Sequence, residues 1–164
     1  MSTDAIVLLK DDHKVMRGLF REFEKAEADE GKSAVLKQIL EELTVHTFIE
    51  NVEMYPRTRE LVPDLEDDVL ESYEEHHVAD VLCMELAGMQ PSDERFDAKT
   101  TVLIENVTHH IDEEEQDWFP KVREGLGRKQ LQEIGARMDE MRAKAPREPD
   151  QPSALKKAVD AITA

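Results

Sequence analysis

His46-Thr47-Phe48-Ile49-Glu50, followed by Pro56, is written again as His110-Ile111-Asp112-Glu113-Glu114, followed by Pro120. Both copies read His-x-x-x-Glu-x-x-x-x-x-Pro, and they start 64 residues apart. A shorter echo precedes each one: Asp12-His13-Lys14-Val15 returns as Glu75-His76-His77-Val78, 63 residues on. The chain thus carries one module twice, with a His on a first helix and a His plus a Glu on the next. Four His and two Glu at matched positions of a helical protein have the donor set of a metal site.

Working outward, the apolar pattern predicts helices around these residues. Ile6, Leu9, His13, Met16, Phe20 and Phe23 follow one another at alternating steps of three and four, the seam of a bundle helix. That seam predicts a first helix over 3–27, capped by Ser2 or Thr3. A second helix is expected from Ser33 to Arg59, after a break at Gly31, with Ile39, Leu43, His46, Glu50 and Glu53 inward. A third runs from Asp64 or Asp67 to Ala87 through Val69, His76, Cys83 and Leu86. A fourth runs from Asp93 to Glu124 through Leu103, Val107, His110, Glu114 and Asp117. Short loops between four such helices predict an all-α, up-down-up-down four-helix bundle over residues 1–126. Residues 127–164 are expected to add a short helical extension: a fifth helix over 128–145, a Pro-rich linker over 145–152, and a last turn or two over 153–162.

The repeated residues fall where the seams demand core. Residues four apart lie one above the other on a helix, so His46 with Glu50, and His110 with Glu114, each converge on one point. An unpartnered buried carboxylate costs several kcal/mol even after relaxation. Two of them with four imidazoles are not a packing solution, and bound cations resolve the conflict. Six ligands (His13, His46, Glu50, His76, His110 and Glu114) exceed one tetrahedral zinc and suit a pair of metals, with Glu50 and Glu114 bridging two half-sites. Mixed imidazole and carboxylate ligation favours two iron ions, with manganese or zinc as alternatives. Glu53, Asp80 and Asp117 are candidates for a further ligand. His77 and His109 should point elsewhere, since a helix turns about 100° per residue. Pro56 and Pro120 are expected to bend or end their helices, and Tyr55, Trp118 and Phe119 beside them read as packing.

Bulk properties narrow the rest. At 164 residues the chain holds one cored domain. A net charge of −17 argues against nucleic acid and anionic membrane as partners. A single cysteine, Cys83, excludes an intramolecular disulfide and a cysteine-based zinc site. With no signal peptide and no long apolar run, the expectation is a cytoplasmic protein.

The order His, His-x-x-x-Glu, His, His-x-x-x-Glu across four helices, with the following prolines, resembles the hemerythrin-like HHE cation-binding family over about residues 5–125. The resemblance implies a non-haem di-iron centre that binds or reacts with dioxygen or a related small oxidant. Carried over by position, it implies the same six ligands. The chain departs from the oxygen-carrying hemerythrins in two places. Those have a second His four residues on in the third helix, where Asp80 stands here. They also have an Asp five residues after the last His, where this chain has Glu114 at four and Glu115 at five. The missing His implies an open position, suited to peroxide dismutation or nitric oxide reduction as the enzymatic alternative to oxygen binding; iron storage or sensing is a third.

Overall fold

Asp4 starts the first helix, accepting through Oδ1 from the Ile6 and Val7 amides at 2.9 and 3.2 Å, which satisfies donors that have no partner in a first turn. The computed structural model describes residues 4–149. The suggested caps Ser2 and Thr3 and the turns expected over 153–162 lie outside them. Helix α1 spans Ala5–Lys25, α2 Asp29–Ile49, α3 Tyr55–Leu61, α4 Glu66–Ala87, α5 Phe96–Glu113, α6 Phe119–Gly125 and α7 Arg128–Arg142. Gly31 lies inside α2, and the break falls earlier, at Ala26 to Ala28.

Two of these junctions are not breaks. Helix α2 continues into α3 through a π turn over Glu50–Met54, and α5 into α6 through a π turn over Glu114–Trp118. The Tyr55 amide reaches back five residues to the Glu50 carbonyl, and the Phe119 amide to that of Glu114. The two prolines explain the widening. Pro56 and Pro120 have no N–H for the carbonyl four residues back, and in a regular helix their rings would collide with it. A wider turn absorbs the collision without ending the rod.

The molecule is therefore a four-helix up-and-down bundle, its rods formed by α1, α2–α3, α4 and α5–α6. Neighbouring rods close the square, α1 beside α2 and α5, and α4 beside α2 and α5. Gly125 ends α6 against Val62, where a Cβ would stand 2.9 Å from the Val62 methyls. Helix α7 lies across α1, α2 and the first π turn, burying Leu131, Ile134 and Met138. No helix among the described residues is long and apolar enough to cross a membrane.

The core comes in two apolar blocks. One holds Met16, Phe20, Phe23, Leu43, Leu103 and Val107; the other holds Ile6, Leu9, Ile49, Met54, Val69 and Trp118. Along every rod the repeated His falls between them: His13 between Leu9 and Met16, His46 between Leu43 and Ile49, His76 between Val69 and Ala79, His110 between Val107 and Trp118. Cys83 is buried in the first block, and burial pushes its thiol up, away from the reactive thiolate form. A polar layer is sealed between two dry ones, and burial of the flanking side chains contributes about 1.5–3 kcal/mol each to holding it there.

Candidate metal centre

All six repeated side chains converge in that layer. His13 and Glu50 have no exposed surface, and Glu114 has 2%. Ligand atoms of His13, His46, Glu50 and Glu114 lie within 4.8 Å of one another, as do those of Glu50, His76 and His110. Each carboxylate spans the two halves. Glu50 Oε2 is 3.3 Å from His46 Nε2 and 3.1 Å from His76 Nε2. Glu114 places Oε2 3.2 Å from His13 Nε2 and Oε1 3.4 Å from His110 Nε2.

The module repeat extends to the groups that aim the rings. His46 Nδ1 is 3.1 Å from Asp12, and His110 Nδ1 is 3.3 Å from Glu75, the residue that matches Asp12. His13 Nδ1 is 2.9 Å from Glu115, and His76 Nδ1 is 2.8 Å from Asn51, the residue that matches Glu115. His13, His46 and His76 thus each hydrogen-bond an oxygen through Nδ1, and His110 Nδ1 faces the Glu75 carboxylate, which favours the tautomer that turns a bare Nε2 inward. Asp12 and Glu75 belong to the sequence echo; Asn51 and Glu115, each one place after its module's Glu, carried no sequence signal of their own.

This arrangement is a set of lone pairs facing each other. His76 Nε2 and His110 Nε2 stand 3.0 Å apart. When both rings are neutral with Nδ1 protonated, neither Nε2 has a proton to offer the other. His13 Nε2, His46 Nε2, Glu50 Oε1 and Glu114 Oε2 are buried without a hydrogen-bond partner. Such atoms are expensive unless a cation sits among them. In the absence of metal the cation must be a proton. Burial opposes charge on His46, but Glu50 and Asp12 outweigh it and raise its pKa to about 10. Burial likewise opposes charge on His110, yet Glu114 and Glu75 push it up. Burial and the neighbouring Glu114 work against ionising Glu50, but His46 and His76 hold it low; Glu114 is held low by His110 and His13 against its own burial. The ionised carboxylates and inward imidazoles fit a pair of divalent ions.

Tyr55 corrects the packing reading. Its hydroxyl lies 2.8 Å from Glu114 Oε1, 3.2 Å from Glu50 Oε2 and 3.1 Å from His76 Nε2. Burial and both carboxylates keep the phenol protonated. Its counterpart 64 residues on, Phe119, lacks the hydroxyl and stacks on His13 with centroids 5.7 Å apart and planes 9° apart. Counting seven residues on from each His pointed to Glu53 and Asp117 instead, because that count assumes unbroken α-turns. The extra residue of each π turn resets the face, so Met54 with Tyr55, and Trp118 with Phe119, turn inward. Asp117 is 66% exposed and pairs with Lys121, while Glu53 faces Arg137. His77 is half-buried and His109 is exposed.

Asp80 also stays outside both ligand groups. Burial raises its pKa to about 6, opposed only by His77. A carboxyl whose folded pKa is raised binds its proton more tightly when folded, so stability is lost as pH rises from about 4 through about 6. Asp80→Asn is expected to stabilise the fold by about 2 kcal/mol at pH 7, after allowing for partial exposure, and by nothing below about pH 4. Denaturation at the two pH values checks this; equal effects at both would refute it.

A further opening reaches the centre from the first apolar block. A cavity of about 20 Å³ is lined by Met16, Leu43, Ala79 and Val107, and it abuts His46, His76 and His110. That is room for about one water-sized molecule.

Residues 4–122 match the family described as Hemerythrin HHE cation binding domain. A crystal structure of a hemerythrin HHE cation binding domain-containing protein from Mycobacterium kansasii, an Rv2633c homolog, shares the fold, with a TM-score of 0.73 at 24% identity over 86% of each chain. A protein named DNA nickase from Nostoc sp. (strain PCC 7120) is 26% identical over 126 residues, covering 77% of this chain but 35% of that protein. With the family match reaching all four rods of the bundle and the ligand-type residues assembled inside it, the chain belongs to the hemerythrin HHE cation-binding domain family.

Proposed function

We propose that the protein holds two iron ions in this centre and uses them to bind, or react with, dioxygen or a related small oxidant. The observation that carries the reading is the buried ring of unpartnered nitrogen and oxygen atoms, His13 Nε2, His46 Nε2, Glu50 Oε1 and Glu114 Oε2. His13 and His46 would serve one ion and His76 and His110 the other, with Glu50 and Glu114 shared. When bound, iron supplies reversible one-electron redox chemistry that no side chain here offers. The chain does the rest. Asp12, Glu75, Asn51 and Glu115 hold the rings, and the apolar walls of the small cavity exclude bulk water while admitting a molecule of two or three atoms. DNA is a poor partner for so acidic a chain.

A second reading, turnover of peroxide, is favoured by Tyr55. A buried, protonated phenol aimed into a metal centre is placed to deliver a proton to a small oxygen species, which simple carriage does not require. Tyr55→Phe is expected to leave metal content unchanged and to lower peroxide turnover by about tenfold or more. Oxygen evolution from peroxide, normalised to bound metal, checks this. Unchanged turnover would remove Tyr55 from the chemistry; no turnover in the parent protein would leave oxygen binding as the function.

A further inference from the structure

The two halves of the centre match inside but not outside. On the α4–α5 side a cleft of about 230 Å³ leads from solvent to His110 and Glu114, lined by Asp68, Glu71, Glu75, Glu113 and Asp117. The corresponding positions of the first module are Ala5, Leu8, Asp12, Ile49 and Glu53. That side is mostly apolar and covered by α7, with Arg142 on Asp12 at 2.8 Å and Arg137 on Glu53 at 3.6 Å. Bundle packing therefore does not require the carboxylates of the cleft, since the matching face does without most of them.

The cleft has internal order. At its mouth, Lys121 pairs with Asp117 at 2.9 Å and Asp68 at 3.5 Å. At the exposed edge of the cleft, His109 and Glu113 repeat the His-x-x-x-Glu spacing one residue out of phase with His110 and Glu114, and their side chains meet at 3.1 Å. With Glu75 they form a third group of donor atoms within 4.8 Å of one another. Glu75 links this group to the centre, since its Oε2 faces His110 Nδ1 at 3.3 Å. At the inner end stands Glu114, almost wholly buried, with Oε2 lacking a hydrogen-bond partner.

We propose that this cleft is the route by which divalent cations load the centre, with Glu75, His109 and Glu113 as a transient cation site on the way. The proposal rests on the metal-centre reading above. A groove lined by one sign of charge concentrates counter-ions and raises their rate of arrival, and Lys121 at the mouth moderates that field.

The test is the rate of cobalt(II) uptake by metal-depleted full-length protein, followed by the appearance of its visible absorption, with final stoichiometry measured separately. The double variant His109→Ala/Glu113→Gln is expected to load about tenfold more slowly, and Lys121→Gln faster than the parent. Both should reach the parent's final stoichiometry, and added salt should shrink the differences. Glu30→Gln, an exposed carboxylate in the first turn of α2 at the far end of the bundle from the cleft, should load at the parental rate. Full loading at parental rates in the double variant and in Lys121→Gln would overturn the route while leaving the metal centre standing. Reduced final stoichiometry at a parental rate would also overturn it, by placing Glu113 in the centre's own ligation. A parent protein that takes up no cobalt would overturn both.

Discussion

Glu50→Ala is expected to empty both halves of the centre at once. Glu50 is the residue common to the two ligand groups, facing His46 on one side and His76 on the other through the same Oε2. On the proposed two-ion centre, its removal would take a negative charge and a shared ligand from each ion and leave imidazoles facing one another across a cavity. Loss of a single outer-sphere partner already costs about 10–100-fold in metal affinity, so loss of a shared ligand should exceed that for both ions. His13→Ala, by contrast, touches one group only and should leave the His76–His110 half loaded. Metal analysis of the two purified variants separates these cases. Equal, partial loss in both would mean that Glu50 does not bridge.

Phe119→Ala should give the largest loss of stability. Phe119 is 1% exposed, lies parallel to His13 and touches Trp118. Truncating a buried Phe costs about 3–5 kcal/mol through lost transfer energy and the cavity left behind. Here the cavity would also release one face of a ligand ring, so His13 should lose its fixed orientation along with its neighbour. Phe119→Leu refills most of the volume and should cost much less. Urea denaturation compares the variants through midpoint and slope. A loss under about 1 kcal/mol for Phe119→Ala would mean that the site collapses around the gap, contrary to the tight packing assigned to it.

What the sequence disclosed follows from which interactions are local. The seams of all four rods and the six inward donors were legible because i to i+4 spacing places side chains before any tertiary contact forms. The choice of His110 over His109 followed from the spacing to Glu114 and Pro120, and that of His76 over His77 from its alignment with His13 in the repeat. Two features were hidden. The π turns depend on a proline six residues after each Glu, a combination that read as a bend or an end when it is a widened turn. Because the turn resets the helix face, Tyr55 moved into the centre while Glu53 and Asp117 moved out. The partners of the ring nitrogens were half visible. Asp12 and Glu75 belong to the repeated string, but Asn51 and Glu115 become partners only once the opposite rods are brought together.

The most direct test is the metal content of the purified protein, read together with its optical spectrum. The assembled centre predicts about two iron ions per chain, with visible or near-ultraviolet absorption in the oxidised state that disappears on reduction. Protein that carries no transition metal as isolated, and binds none when offered ferrous iron without oxygen, would contradict it.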